Sequence, residues 1–377
     1  MGWSSSKIHK KKIGHNLGRE DSIMQETKKL PKKIFVLRNN DLGDVLVTTP
    51  LLEGLRLCYP ESLISVGVGD WAKSLLQGNP NINEIRSCNA PWHNKQNCNF
   101  PANSLRTFLV GLSFILLSKQ SRNLTRERFT HGIDVLGSRQ GSWLMLRAGI
   151  KSRFGVKGYA GGDQWCEDYV IFDENRNVAN AALAFLPLIG CHKEIEPRPQ
   201  IFLSRQEKED VRKIWNTKSS RARRVVIAPG GGFPEKCWGD SHFTELTNLL
   251  LKEDNLQICI LGSKKDRNRI HYQKNLGYNK IQNFCGTIDL RKSAALISEA
   301  DFVFTNSSLC MHLAGAFKIP SITLLGECYD SASLHQSQWG YIESQVLGKE
   351  ISFGKNNIVC ATEAYACFQK TLQNQAI

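Results

Sequence analysis

The sequence predicts an α/β protein built from two doubly wound parallel sheets that face each other. The chain has 377 residues, which is long for a single hydrophobic core. Apolar strand-like runs alternate with helix-like segments in two successive series, and a polar stretch at residues 196–222 separates the series. Because ligands of such sheets bind beyond the carboxyl ends of the strands, the residues that follow each predicted strand are the candidates for function.

The first series fills residues 31–195. The runs KIFVL, SLISVGV and HGIDVL are predicted strands, and VLVTTPLLEGLRL, WAKSLLQ and SWLMLRAGI are predicted helices. Pro50 either kinks the first of these helices or lies in a first helical turn after Thr49. The apolar stretch SLRTFLVGLSFILLSKQSR is too short to span a bilayer, which needs about 20 apolar residues. A buried helix is favoured there over one that dips into a membrane.

The second series fills residues 223–345. Its predicted strands are RVVIA, LQICILG, KIQNF, DFVFTN and SITLLG, and its predicted helices are HFTELTNLLLKE, a segment from Lys265, LRKSAALISEA and MHLAGAF. Residues 1–30 are basic without apolar periodicity, which predicts a disordered leader. Residues 346–377 form a C-terminal segment after the last predicted strand.

The net charge and the cysteines limit the classes of partner and the cellular compartment that the sequence predicts. A net charge of +14 indicates an anionic partner, such as a nucleic acid, a phosphorylated ligand or an acidic membrane surface. The 12 cysteines are scattered at wide spacings, and the polar, basic start of the chain has no apolar signal-peptide core. These features predict reduced thiols in a cytoplasmic protein.

The stretch RNNDLGD follows the first predicted strand. Asn40, Asp41 and Gly43 satisfy the needs of a tight turn, because these residue types accept left-handed backbone at little cost. Asp44 is not needed for the turn. It is either a carboxylate at a helix N-terminus or a general base in the cleft between the domains. No third acid or histidine lies at a useful spacing, so no metal site is predicted.

Two further motifs follow strands of the second series. In VVIAPGGGFPEKCWG, the backbone of Gly230, Gly231 and Gly232 allows a phosphate to approach amide N–H groups, and Lys236 adds a positive charge. The alternative for this motif is a flexible turn with a surface lysine.

The other motif is TNSSLCMHLAGAF. The hydroxyl groups of Ser307 and Ser308 can cap the helix that follows, whose first amides form an anion site. On that helix, His312 either contacts a ligand or is a hydrogen-bonded core histidine.

Three blocks together resemble the ADP-heptose:lipopolysaccharide heptosyltransferase family, glycosyltransferase family 9. They are FVLRNNDLGDVLVTTPLLEGLRLCYP, PGGGFPEKCW with HFTEL, and SSLCMHLAGAFKIPSITLLG, and the resemblance runs over roughly residues 33–345. It implies a GT-B type protein with two facing Rossmann-like domains. The first domain (31–195) then binds the acceptor, and the second (223–345) binds the nucleotide-sugar donor.

The resemblance also implies roles for individual residues. Asp44 matches the aspartate that activates the acceptor hydroxyl, Lys236 matches a lysine that contacts donor phosphate, and Ser308 and His312 lie in the block that holds the diphosphate. The family's usual Asp-Ser/Thr-Gly is replaced here by Ser307, Ser308 and Leu309. The sequence thus lacks both the carboxylate and the glycine of that motif, which bears on the identity of the donor.

The predicted function is an inverting, metal-independent glycosyl transfer without a cofactor. The resemblance implies heptose from ADP-heptose as the donor group and a lipopolysaccharide-type or other cell-surface glycan as the acceptor, in the cytoplasm or peripherally at the inner face of the membrane. A catalytically inactive relative that binds a sugar nucleotide is one alternative. A basic nucleic-acid-binding protein is another, although the charge is diffuse and no recognition motif is present, so nucleic acid is not an expected partner.

Overall fold

The computed structural model describes residues 31–101, 104–215, 222–273 and 279–374. The predicted leader at residues 1–30 lies outside the described residues. Within the described part, the chain forms two six-stranded sheets in which all the neighbouring strands are parallel. The prediction of two doubly wound α/β sheets is confirmed.

The first sheet has the strand order β3-β2-β1-β4-β5-β6. Its strands are β1 (Lys33–Leu37), β2 (Leu63–Val68), β3 (Glu84–Ser87), β4 (His131–Asp134), β5 (Ser152–Lys157) and β6 (Asp168–Ile171). The direction of winding reverses between β1 and β4, where Leu37 pairs with Asp134 at the carboxyl ends of the strands. This reversal makes the end of β1 the natural ligand-binding position of the first domain.

The helices of the first domain differ from the prediction in several places, and the two between residues 178 and 188 were not predicted. They are α1 (Leu42–Leu46), α2 (Thr49–Cys58), α3 (Lys73–Leu76), α4 (Leu105–Leu117), α5 (Lys119–Glu127), α6 (Arg139–Arg147), α7 (Val178–Leu183) and α8 (Phe185–Leu188). The single helix predicted after β1 is two helices, and Pro50 lies in the first turn of α2, where a proline costs no hydrogen bond. The apolar stretch forms α4, which buries only Thr107, Gly111 and Ile115 and is therefore half-buried rather than buried.

The second sheet has the strand order β12-β11-β10-β7-β8-β9. Its strands are β7 (Arg223–Ala228), β8 (Leu256–Ile260), β9 (Ile281–Asn283), β10 (Phe302–Asn306), β11 (Ser321–Leu324) and β12 (Ser344–Leu347). The winding reverses between β7 and β10, where Ala228 pairs with Thr305. The glycine motif and the serine motif follow these two strands, so they lie side by side at one edge of the sheet.

The remaining helices pack on the second sheet. They are α9 (Arg205–Trp215), α10 (Asp240–Leu251), α11 (Leu290–Ser298), α12 (Leu309–Ala316), α13 (Ala332–Trp339) and α14 (Ala361–Asn374). Where a helix was predicted from Lys265, the structure has a 3-10 turn at Lys264–Asp266, and residues 274–278 of that segment lie outside the described residues.

The predicted linker and the C-terminal segment both contain helices. Trp215 of α9 is buried, and its Nε1 donates to the carbonyl oxygen of Leu296 at 3.3 Å. Phe368 of α14 packs its ring 4.8 Å from that of Phe302. These contacts attach both segments to the second sheet. The exact domain boundaries stay a prediction.

One cysteine pair is oxidised. Cys58 at the end of α2 and Cys191 after α8 form a disulfide with their Cα atoms 5.8 Å apart. The prediction of reduced thiols is wrong for this pair because 133 residues separate the two cysteines in the sequence, a distance that hides their proximity in the fold. The other cysteines are free.

The two domains are in direct contact. Helix α1 of the first domain packs on α12 of the second. Arg291 of α11 reaches the first domain, where its Nη1 donates to the carbonyl oxygens of Ser74 at 2.9 Å and Gln77 at 3.1 Å. The carboxyl ends of β1 and β7 therefore belong to one cleft. No helix in the described ranges is both long and apolar enough to cross a membrane.

Candidate active site

Asp44 lies in the first turn of α1, directly after β1. Its Oδ1 accepts a hydrogen bond from Arg38 Nη2 at 3.1 Å, and its backbone carbonyl accepts from Arg38 Nε at 3.3 Å. Thr48 Oγ1 donates to the same carbonyl at 2.9 Å. The Asp44 side chain is 32% exposed although it is held in this way. It is thus a fixed carboxylate that a ligand can still reach.

The polar residues before Asp44 bind a distant loop rather than one another. Asn39 Nδ2 donates to the carbonyl of Trp92 at 3.0 Å, and Asn40 Nδ2 donates to that of His93 at 2.7 Å. Asp41 Oδ1 accepts from the backbone N–H of Lys95 at 3.1 Å. The prediction that these residues serve a local turn is therefore incomplete, because they anchor the loop of residues 88–97 to the end of β1.

Gly43 is required for a different reason from the one predicted. It lies inside α1 and is not among the residues with left-handed backbone. A Cβ atom on Gly43 would lie only 3.1 Å from His312 Cδ2 of the second domain. The absence of a side chain lets the helix that carries Asp44 approach His312 closely.

A cavity of about 510 Å³ opens beside Asp44. Most of its lining comes from the first domain, and Gln338 and Trp339 come from the second. His93 lies on its wall with a left-handed backbone, φ 53°, which is uncommon for a residue with a side chain and is often found at functional sites. Burial, assisted by Arg38, lowers the pKa of His93, so the ring is biased towards its neutral form.

The glycine motif is a fixed turn in the second domain. Asn306 Nδ2 donates to the carbonyls of Pro229 at 2.7 Å and Gly230 at 3.3 Å, and Asn306 Oδ1 accepts from the N–H of Trp238 at 2.9 Å. Cβ atoms would meet the Asp266 carboxylate, 2.7 Å from Gly230, and the Cys237 sulfur, 2.8 Å from Gly231. These glycines therefore permit close packing, and Gly231 and Gly232 remain exposed.

Lys236 closes the 3-10 turn Pro234–Lys236 after these glycines. Its Nζ lies 5.8 Å from the ring centroid of Phe233 and 5.9 Å from that of Tyr329. Within the part of the chain that the structure describes, no acidic side chain pairs with this ammonium group. Its charge is therefore free to meet a ligand's charge.

The serine motif is arranged differently from the prediction. Ser308 occupies the N-cap position of α12, but its side chain makes no capping hydrogen bond there and instead lies 3.2 Å from Thr305 Oγ1. Ser307 Oγ forms a hydrogen bond of 2.8 Å with His335 Nε2. The prediction that the two hydroxyl groups cap the helix is wrong, since both bind side chains of other elements.

His312 is a buried, hydrogen-bonded histidine at the domain interface. Its side chain bonds through Nδ1 to the Tyr341 hydroxyl at 2.7 Å, and the residue is 5% exposed. Burial lowers the pKa of His312 to about 4, against the opposing influence of Asp44. It is therefore neutral near pH 7. His312 is therefore a hydrogen-bonded core histidine that also lies beside Asp44.

His335 is a site residue that the sequence analysis missed. It lies on α13, beyond the recognised motifs, and burial lowers its pKa to about 4, with His312 and Lys236 acting in the same direction. Its Nδ1 is buried without a hydrogen-bond partner among the described residues. Trp339, one helical turn further on, lies 6.1 Å from the His312 ring and 6.5 Å from the His335 ring, and it also lines the cavity.

The family model of glycosyltransferase family 9 (heptosyltransferase) matches residues 117–333. The chain belongs to glycosyltransferase family 9. It is therefore a glycosyltransferase, and the nucleic-acid-binding alternative is not favoured.

The relatives of this family-9 enzyme are named as heptosyltransferases. A Salmonella typhimurium protein named lipopolysaccharide heptosyltransferase 2 is 25% identical over 317 residues, covering 78% of this chain and 82% of the relative. A Haemophilus ducreyi lipooligosaccharide heptosyltransferase 2 is 26% identical over 314 residues, covering 76% and 81%. The solved structure of Escherichia coli ADP-heptose lps heptosyltransferase II superposes with a TM-score of 0.71 at 20% identity, covering 92% of this chain and 100% of that one, which supports the GT-B fold.

A further residue of this family-9 site, Lys95, comes from the loop that Asn39, Asn40 and Asp41 anchor. Its Nζ lies 3.6 Å from the ring centroid of Phe233 and 3.8 Å from Asp41 Oδ2. A lysine of the first domain thus stands against the glycine turn of the second domain. Nothing in the sequence around Lys95 indicated this, because the contact depends on the docking of the two domains.

The described ranges contain no group of three or more His, Cys, Asp and Glu side chains arranged to hold a metal ion. The charged groups around the cleft include Asp44, Arg38, Lys95 and Lys236, and Asp173, Glu174 and Arg176 also line the cavity.

Proposed function

We propose that this family-9 enzyme transfers heptose from ADP-heptose to a hydroxyl group of a lipopolysaccharide-type glycolipid, with inversion at the anomeric carbon. The names of its relatives support this donor and this acceptor class. One observation carries the proposal. Helix α1, which bears Asp44, packs on α12 of the second domain, where Gly43 faces His312.

In this proposal Asp44 is the general base. The acceptor lies in the 510 Å³ cavity with its hydroxyl group directed at the Asp44 carboxylate. As the hydroxyl oxygen forms its bond to the anomeric carbon, its proton passes to the carboxylate. Arg38 holds that carboxylate in position through the 3.1 Å hydrogen bond.

The second domain acts on the leaving group. The bond between the anomeric carbon and the diphosphate oxygen breaks as the new bond forms, and negative charge gathers on the nucleoside diphosphate. Lys236, the amides of Gly231 and Gly232 and the first amides of α12 are available to stabilise this charge. Such a set of donors needs no metal ion.

Membrane proximity follows from the proposed acceptor. A lipid-anchored acceptor requires the enzyme to work at the surface of the membrane, and we propose the inner face of the cytoplasmic membrane. The net charge of +14 suits both a phosphorylated glycolipid and an anionic bilayer.

A second candidate is an inactive relative that binds a sugar nucleotide without turning it over. The observation that favours it is Ser307, which stands where the family usually has an aspartate. Its hydrogen bond to His335 supplies a neutral pair in place of a carboxylate.

One experiment separates the two candidates. Calorimetric titration with ADP-, GDP- and UDP-sugars identifies the donor, and each donor that binds is then assayed for transfer and hydrolysis with and without excess EDTA. We expect ADP-heptose to bind and transfer to persist in EDTA. Binding without transfer or hydrolysis would favour the inactive relative, and chelator-sensitive transfer that magnesium restores would contradict the metal-free leaving-group mechanism.

A further inference from the structure

Helix α4 presents a mainly aliphatic face to the outside, which also carries Arg106 and Ser113. Leu105 is 70% exposed, Leu117 67% and Leu109 52%. Val110 and Leu116 are exposed beside them, and these residues repeat at helical spacing along the same side. An exposed aliphatic stripe of this length is unusual for a surface that faces only water.

The neighbouring helix α5 is basic. Lys119, Arg122 and Arg126 are exposed along it, and Arg128 follows. The acid in this segment, Glu127, is already paired with Lys33 at 3.4 Å and Arg86 at 2.9 Å. Apolar side chains and unneutralised cations therefore lie together on what we call the α4–α5 face, comprising Leu105, Leu109, Val110, Leu116, Leu117, Lys119, Arg122 and Arg126.

Helix α6 extends this face on one side. Thr125 Oγ1 of α5 donates to the carbonyl of Arg147 at 3.4 Å, which brings the end of α6 beside α5. Leu146 and Arg147 are both exposed there. The same combination of one aliphatic and one cationic side chain therefore recurs at the edge.

The buried side of α4 connects the face to the acceptor cavity. Trp92 packs its ring 5.5 Å from that of Phe114, and a Cβ on Gly111 would lie 3.5 Å from Trp92. Trp92 precedes His93, which lines the cavity. The helix with the apolar exterior therefore supports the loop that forms part of the cavity wall.

We propose that the α4–α5 face docks on an anionic lipid bilayer, with the leucines entering the headgroup region and the cations meeting lipid phosphates. Aliphatic side chains beside Lys and Arg without free acids are typical of helices that lie in a membrane interface. A protein interface more often centres on Trp, Tyr and Arg, with Leu and Val under-represented among the decisive contacts. The inference deepens the proposed function, on which it rests for its meaning, because it names the surface that brings the cavity to a lipid-anchored acceptor.

The test is vesicle co-sedimentation of the full chain. Vesicles of phosphatidylcholine alone are compared with vesicles that contain about 30% phosphatidylglycerol, at low and high salt. The test variants are Leu105→Gln/Leu117→Gln, which removes the two most exposed leucines of α4, and Arg122→Glu. The matched controls are Phe353→Gln, at a residue that is 83% exposed on the second domain, and Lys370→Glu on α14.

We expect salt-sensitive binding to the anionic vesicles, and each test variant should reduce the partition coefficient by about tenfold or more. The controls should bind as the wild type does, and all variants should keep their melting temperature. Equal binding to neutral and anionic vesicles, or undiminished binding by both test variants, would overturn the proposal. So would a concentration-dependent dimer that the leucine substitutions dissociate.

Failure of docking and failure of the proposed chemistry are distinguishable. Vesicle binding is measured without donor, so a chain that binds vesicles but transfers no sugar contradicts only the chemistry. Transfer to a delipidated, water-soluble acceptor should be the same in Leu105→Gln/Leu117→Gln as in the wild type. Transfer to an acceptor embedded in vesicles should fall together with the partition coefficient.

Discussion

The two halves of the cleft offer a ligand different chemistry. The first-domain half is an open cavity with a mainly apolar lining, and the charged side chains on its wall include the Asp44 carboxylate, which Arg38 holds and which is still 32% exposed. The second-domain half is built of backbone amides and neutral rings. His312 and His335 are buried with pKa values near 4, and Lys236 is the cation beside them.

This difference indicates a division of work. A general base must accept a proton and must reach the acceptor, so an exposed carboxylate on the first domain suits the chemical step. A diphosphate carries negative charge before and after the reaction, so backbone amides and the Lys236 ammonium group suit binding and leaving-group stabilisation. The Asp266 carboxylate behind Gly230 is paired with Arg269 at 2.9 Å. Neutral histidines add hydrogen-bonding capacity there without changing the charge.

The largest effect should come from Asp44→Asn, which tests the first half. The amide keeps the shape and can still pair with Arg38 through its oxygen, but it cannot take a proton. Turnover should fall by about 10²–10⁴-fold, while donor affinity and melting temperature change little. Steady-state kinetics with a soluble acceptor, together with donor titration, measure both quantities.

Asp41→Asn is the matched control. Its amide oxygen can still accept from the N–H of Lys95, which Asp41 binds at 3.1 Å, so turnover should remain close to that of the wild type. If Asp44→Asn kept normal turnover and instead lost about 0.3–1 kcal/mol of stability, Asp44 would be only a helix-terminus charge. The division of work would then be refuted.

The next effect should come from Lys236→Ala, which tests the second half. A lost charge-assisted hydrogen bond to phosphate should weaken donor binding by about 1.5–3 kcal/mol. Lys252→Ala, at the exposed C-terminal end of α10, is the control and should leave the dissociation constant unchanged. An unaltered dissociation constant in Lys236→Ala would remove this lysine from the donor site.

The sequence was sufficient for the fold class and the central strands because their signals are local. Apolar runs such as Ile34–Leu37 become buried central strands, and glycine or polar residues follow them at the sheet edges. Four strands at or near the sheet edges were not predicted, namely β3, β5, β6 and β12, because their residues are largely polar or only partly buried. The break between α1 and α2 falls just before Pro50, at one of the two positions that this proline left open in the sequence.

Residues of the candidate site were predicted only where a single sequence motif contains them. Asp44, the glycine turn and Lys236 each follow a strand, so their placement was readable from the chain. His335 and Lys95 were not found, because the first acts through its contact with Ser307, 28 positions away, and the second through its contact with Phe233 of the other domain. The close approach of Gly43 to His312 likewise exists only once the domains meet.

The smallest effect concerns the neutral rings of His312 and His335. The pH dependence of the free energy of unfolding tests whether they are neutral. A histidine whose pKa is lowered by folding contributes stability above its unfolded pKa of about 6.5, and this contribution is lost as the pH falls through the folded pKa. For His312 and His335 the window therefore runs from about pH 6.5 down to about 4. Buried Asp134 acts in the opposite direction, because burial raises its pKa to about 6 and its contribution is lost as the pH rises.

His335→Gln isolates one of the two histidines. Between pH 7.5 and pH 5.0, the wild type should lose about 1–2 kcal/mol more unfolding free energy than this variant, since the variant has no imidazole to protonate on unfolding. Denaturant unfolding at the two pH values gives the difference, and Asp134 cancels because it is present in both proteins. His271→Gln, at an exposed position, should follow the wild type. If His335→Gln were as pH-sensitive as the wild type, folding would not lower the pKa of His335. The ring would then gain its proton in the folded protein over the same pH range as in the unfolded chain and would add a positive charge next to Lys236 below about pH 6.5.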